Sequence, residues 1–171
     1  MATSGSVSVG EYLSTSYRPD REMLDGEVLE RSVGEYSHSN LLGAFVAWLR
    51  GRQRDWNIRV LPEQRIRVSA SRFRVPDVCV VSREQELEQV FTRPPLICIE
   101  VLSKDDTLRS MQERVDDYRA FGVANIWLLD PVKRRAYVCK HGDFREPEGE
   151  ILEVADTAIR ITLSELFADL D

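Results

Sequence analysis

The sequence predicts an α/β fold, a mixed central β-sheet with α-helices on its faces. Two observations predict it. Residues 96–102 form a nearly continuous apolar run, the pattern of a central strand covered on both sides. An amphipathic helical pattern follows (Leu108, Met111, Val115, Tyr118, Phe121), then a second buried run over residues 124–129.

The remaining elements follow in order. Residues 1–10 are small and polar and read as a flexible lead-in to one domain over residues 11–171. Asp25-Gly26 between Met23-Leu24 and Val28-Leu29 is a hairpin signal. Ser37 reads as an N-cap, with Leu41, Leu42, Phe45, Trp48 and Leu49 at helical spacing behind it, so a helix is expected over about 38–53. Strand-like segments follow at about 58–68 and 74–82, then a polar stretch to Pro94-Pro95. Asp105-Asp106-Thr107 opens the second helix and Gly122 closes it. Asp130-Pro131 turns the chain and residues 135–140 return as a hairpin partner. Strands near about 150–154 and 158–162 and a helix over 163–170 complete the chain.

Composition narrows the function classes. A chain of 171 residues, 43% hydrophobic and 30% charged, can bury one sizeable core, which excludes disordered and collagen-like readings. No long apolar run is present and the first residues lack the marks of a secretory signal, so a cytoplasmic protein without membrane spans is expected. Cys79, Cys98 and Cys139 sit in apolar runs without CxxC spacing and read as small buried hydrophobes. Two histidines make a His-rich metal centre a poor reading. The net charge of −6 conceals a division. Eight arginines between positions 50 and 74 face only Asp55 and Glu63, whereas residues 143–171 are strongly acidic. The basic middle suits either phosphates or a solvated surface. Of the 23 basic residues only Lys104, Lys133 and Lys140 are lysines.

Two acids stand where a fold would not choose them. Asp77 lies in Val75-Pro76-Asp77-Val78-Cys79-Val80-Val81 and Glu100 in Ile97-Cys98-Ile99-Glu100-Val101-Leu102. Burying an ionised carboxylate costs several kcal/mol unless it is paired or binds a metal. Two hard oxygen donors converging on one point suit Mg²⁺ or Mn²⁺. Pairing of each with an arginine is the competing explanation. Arg114 is the charged side chain within the buried sector of the second helix and needs an anion: Asp77, Glu100 or a phosphate. His38 shares the apolar face of the first helix, as a satisfied core residue or as a group orienting a ligand or water.

Several blocks together resemble the Uma2 family of restriction endonucleases. They are Phe73-Arg74-Val75-Pro76-Asp77-Val78, Pro94-Pro95 through Ser103, Met111-Gln112-Glu113-Arg114-Val115-Asp116-Asp117-Tyr118, Phe121-Gly122-Val123 and Ile126-Trp127-Leu128-Leu129-Asp130-Pro131. Tyr12-Leu13, Asp25-Gly26-Glu27 and His38-Ser39 also fit, so the resemblance spans residues 11–168. It implies the PD-(D/E)xK nuclease fold and a metal-dependent endonuclease acting on DNA. It implies Asp77 and Glu100 as ligands of Mg²⁺ (or Mn²⁺), with the Val101 carbonyl as a further ligand. The lysine of that superfamily falls on Leu102 here, and the alternative helical position carries Arg114, which clamps phosphate but cannot exchange protons. Lys104 could replace it if the Glu100 strand continues that far. A nuclease-fold protein that binds nucleic acid or a protein partner without cutting is the alternative. Two-strand cutting would favour a homodimer.

Overall fold

The structure is a computed structural model that describes residues 5–32 and 34–170, with the Asp169 side chain left aside. Helix α1 (Val9–Ser14) opens on a capping box between Ser8 and Glu11, and the Val7 N–H donates to the Gly26 carbonyl. The expected lead-in over 1–10 is therefore shorter, because Ser8 already satisfies the helix's first orphan N–H groups; Met1–Ser4 lie outside the described residues. Strands β1 (Arg21–Leu24) and β2 (Glu27–Glu30) form the expected hairpin. Asp25 and Gly26 turn it at φ 52° and 92°, the left-handed pair that a two-residue hairpin turn requires.

Helix α2 (Tyr36–Arg52) starts earlier than expected. Glu35 is its N-cap and makes no side-chain capping bond; Ser37 lies inside the first turn. Two expected strands are each split. The first becomes β3 (Ile58–Pro62) and β4 (Ile66–Arg67); the second becomes β5 (Arg72–Arg74) and β6 (Val78–Ser82). Each break lies at a proline, which lacks the N–H a ladder needs: Pro62 ends β3, and Pro76 lies between β5 and β6. The polar stretch that follows is not wholly solvated. Phe91 is buried and bridges Ile66.

Strand β7 (Ile97–Val101), helix α3 (Leu108–Phe121) and strand β8 (Asn125–Asp130) form the central crossover. Thr107 and Ser110 box the start of α3, and Gly122 at φ 104° closes it. Strands β9 (Arg135–Lys140), β10 (Asp143–Arg145), β11 (Ile151–Glu153) and β12 (Arg160–Thr162) precede α4 (Leu163–Phe167), which runs into a 3-10 turn, Ala168–Leu170.

The main sheet runs β10-β9-β8-β7-β6-β3, with only the β7–β8 pair parallel. A second sheet runs β2-β1-β5-β4, and β11 pairs with β12. Leu41, Phe45 and Leu49 of α2, with Leu166 and Phe167 of α4, pack on Val80, Ile99 and Trp127. On the opposite face Met111, Val115 and Tyr118 of α3 cover Cys79, Cys98 and Leu128. Each fully buried side chain of this size contributes roughly 1.5–3 kcal/mol. The three cysteines are free and buried, as expected. Among the described residues no helix is long and apolar enough to cross a membrane.

Candidate active site

The register of the central strands builds the site. Val78 pairs with Ile99 and Cys79 with Cys98, so the next step outward sets Asp77 opposite Glu100. Both acids share the sheet face of Cys79 and Cys98, beneath α3. The Val101 N–H donates to Asp77 Oδ2 at 2.8 Å, which ties the residue after Pro76 to the end of β7. Asp77 and Glu100 are 5% and 4% exposed and line one small cleft of about 20 Å³, room for about one water-sized body. Arg31, His38, Ser103, Asp106 and Arg114 complete its wall.

The two acids are held in opposite protonation preferences. Burial works against charge on Asp77, but His38, the Arg31 guanidinium and the Val101 N–H outweigh it and hold the carboxyl below its ordinary value. Arg31 Nη2 is 2.8 Å from Asp77 Oδ1, and His38 Nε2 is 3.4 Å from Oδ2. The same contact raises the His38 imidazole, against burial and Arg31. Glu100 goes the other way. Burial pushes it up to about 8, and Asp77 and Glu22 add to that while Arg114 opposes. The Tyr118 hydroxyl donates to Glu100 Oε1.

Arg114 has an acid that the sequence did not reveal. Its Nη1 is 2.8 Å from Glu22 and 3.7 Å from Glu100 Oε2. Glu22 is 2% exposed and also accepts from Arg74 at 2.8 Å and from the Val75 N–H at 3.0 Å. Strand β1 lies inside its sheet, between β2 and β5. Met23 fills the small core of Tyr12 and Phe73, while its neighbour Glu22 reaches the arginines. An acid beside a hairpin apex gives little warning of this. Nor did Arg31, just past the hairpin, stand out among so many arginines.

Asp77, Glu100, Val101, Arg114 and His38 therefore converge. Lys104 does not. Strand β7 ends at Val101, so the condition for Lys104 to share Glu100's face is not met. Its ammonium pairs with Glu35 at 2.8 Å and its side chain is 64% exposed. Leu102 brings no charge to the cleft. The basic stretch of residues 50–74 is largely consumed internally. Arg72 pairs with Asp25, Glu113 and Asp117, Arg74 with Glu22 and Asp117, and Arg65 with Asp20. Arg52 stacks on Trp48, and Arg59 donates to the Arg83 carbonyl.

The donor chemistry fits a hard divalent cation. Two carboxylates face one cleft, and burial leaves Glu100 without full compensation, the deficit such a cation would fill. Among the described residues no group of three or more His, Cys, Asp and Glu is placed to hold a metal, so a cation in this cleft would have these two acids and the backbone beside them to bind.

The Uma2 family model, described as "Putative restriction endonuclease", matches residues 11–170. The chain belongs to the Uma2 family. A crystal structure from Anabaena variabilis ATCC 29413, described as "a putative nuclease belonging to DUF820", superimposes with a TM-score of 0.80 at 19% identity, covering 96% of this chain and 99% of that one. That likeness gives this Uma2 protein the restriction-endonuclease-like fold expected of it. A DrdV-DNA complex aligns with a TM-score of 0.45 at 17% identity, over 75% of this chain and 11% of that one. No curated protein matches the chain.

Proposed function

We propose that this Uma2 protein is a metal-dependent endonuclease that hydrolyses phosphodiester bonds of DNA. The observation that carries the reading is the pair of buried carboxylates, Asp77 and Glu100, set opposite each other by the β6–β7 register and open to one cleft. Asp77, Glu100 and the Val101 carbonyl would hold Mg²⁺ or Mn²⁺. Such an ion, when bound, supplies Lewis-acid polarisation of the phosphoryl oxygen and a lowered pKa for water. The chain's own groups do the rest. Arg114 is oriented by Glu22 and offers its remaining N–H donors to a non-bridging phosphate oxygen, where negative charge develops. Arg31 supports Asp77 and adds positive charge at the rim. His38 stands beside Asp77, which favours its protonated form, and so can hold and return a proton, a task arginine cannot perform.

Plasmid cleavage with Mg²⁺ or Mn²⁺ tests the reading. Wild type should nick and linearise the plasmid, and Asp77→Asn and Glu100→Gln should each abolish cutting. Undiminished cutting by both variants removes the assignment. One observation favours a second reading, a nuclease fold that binds nucleic acid without cutting. Leu102 occupies the position of the superfamily lysine, and Lys104 is paired away from the cleft. Tight DNA binding by wild type with no cleavage under any divalent ion would select it.

A further inference from the structure

A second cavity opens beside the carboxylate cleft and shares Ser103 and Asp106 with it. It has a volume of about 260 Å³. Its apolar lining is Leu102, Leu108, Met111, Leu128, Tyr137 and Phe144, beside the charged Asp106, Asp130 and Lys133. It lies past the C-terminal ends of the parallel strands β7 and β8, where open α/β sheets place ligands. Nothing in the phosphodiester chemistry above uses it.

We propose that this pocket holds one unstacked nucleobase next to the scissile phosphate, so that one nucleotide is drawn out of the duplex at the cut. The inference rests on the nuclease reading and specifies its substrate. Three features select a base as the occupant. First, the pocket adjoins the proposed phosphate site across the Ser103–Asp106 turn, whose residues line both, so one nucleotide can place its phosphate in one and its base in the other. Second, the polar groups suit a base edge. Asp130 is fixed by the N–H groups of Val132 and Lys133 at 3.0 and 2.9 Å, and Asp106 by the Ser103 N–H and hydroxyl at 2.8 and 2.9 Å. Fixed carboxylates repel phosphate but accept hydrogen bonds from exocyclic amino groups, as on cytosine. Third, the rim combines stacking surface with positive charge. Leu108 is 75% exposed at the mouth, Val132 is 79% exposed on the adjoining turn, and Lys133 is exposed beside it. Aromatic side chains such as Tyr137 and Phe144 stack on any base face, and enzymes that act on a base extrude it from the duplex at the cost of unstacking it.

The test is binding, read separately from cutting. Fluorescence anisotropy in Ca²⁺ compares three labelled hairpin DNAs: fully paired, with one extruded cytosine, and with one extruded abasic site. The cytosine probe should bind about tenfold tighter than the other two. Leu108→Ser, at an exposed position that cannot unfold the domain, and Tyr137→Ala should each remove most of that preference while leaving the paired probe unchanged. Plasmid cleavage by wild type in parallel decides the nuclease reading by itself. Equal affinity for all three probes overturns the base pocket even if the plasmid is cut. A dimer in light scattering that Leu108→Ser dissolves would also overturn it, by giving the pocket to a second copy of the chain.

Discussion

Two regions of the molecule bury charge, and they do so in different ways. Around the four-stranded sheet, Glu22, Asp25, Glu113 and Asp117 meet Arg72 and Arg74 in a network where every acid has an arginine partner. At the end of the six-stranded sheet, Asp77 and Glu100 face one cleft. Asp77 has Arg31 and His38, while Glu100 has a tyrosine hydroxyl and the edge of an arginine already committed to Glu22. On the proposed reading, incomplete compensation rather than burial of charge marks the site. The network holds its acids with fixed cations, which cost less to bury as pairs than singly. The cleft leaves a deficit that an exchangeable cation can fill.

The largest effect expected from this contrast is on cleavage. Asp77→Asn and Glu100→Gln should lower the rate by on the order of 100-fold or more, since each removes electrostatic stabilisation in a water-poor site. Arg74→Met should cut at wild-type rates per folded molecule. A plasmid assay normalised to folded protein separates the two regions. Loss of cutting in Arg74→Met at full folding would place the network inside the catalytic machinery and dissolve the distinction.

Stability should respond in the reverse order. Arg74→Met leaves Glu22, 2% exposed, with Arg114 as its remaining arginine and strips Asp117 of one of its two, and should cost on the order of 3 kcal/mol in urea unfolding. Glu100→Gln removes an under-compensated acid while keeping a group that Tyr118 can bond. In metal-free protein at alkaline pH it should be neutral or stabilising. A Glu100→Gln variant as unstable as Arg74→Met would mean that Glu100 is structurally paired.

This contrast also explains what was legible in the sequence. Asp77, Glu100 and Arg114 were readable because each breaks an apolar pattern, and that anomaly is local. The α3 crossover and the hairpin were readable for the same reason: periodicity and an Asp-Gly turn act within a few residues. Glu22 and Arg31 were not readable. Glu22 reaches Arg74 and Arg114, 52 and 92 positions away, and Arg31 reaches Asp77, 46 positions away. No local pattern encodes such pairings. The split strands were half legible. Pro62 and Pro76 were visible, but that the chain changes sheets at those prolines follows from tertiary pairing of β5 with β1 and of β4 with β5.

The pH dependence sharpens the comparison further. Glu100 titrates near 8 in the folded metal-free protein, against an ordinary value of 4.5. Between those values the folded state holds a proton that the unfolded state has lost. Its contribution to stability is thus intact below about pH 4.5 and falls as pH rises towards 8, by a few kcal/mol in order of magnitude. Mg²⁺ should therefore stabilise the protein little near pH 5 and substantially above about pH 8, measured by urea unfolding with and without the ion. Equal stabilisation at both ends would mean that Glu100 is not a ligand.

The smallest effect is expected at Lys104, and it is informative because it is small. Its pair with Glu35 at 2.8 Å is solvent-exposed on both sides, a class of contact worth up to about 1 kcal/mol. Lys104→Ala should shift unfolding by less than that and change cleavage by no more than about threefold. The reason is positional: β7 ends at Val101, and the turn that follows carries Lys104 outward, so its ammonium does not meet the carboxylates. A loss of cutting comparable to Asp77→Asn would show that substrate draws Lys104 off Glu35 and into the cleft. The lysine missing from position 102 would then be supplied by motion of the turn, and the division of labour among Arg114, His38 and the two acids would have to be redrawn around it.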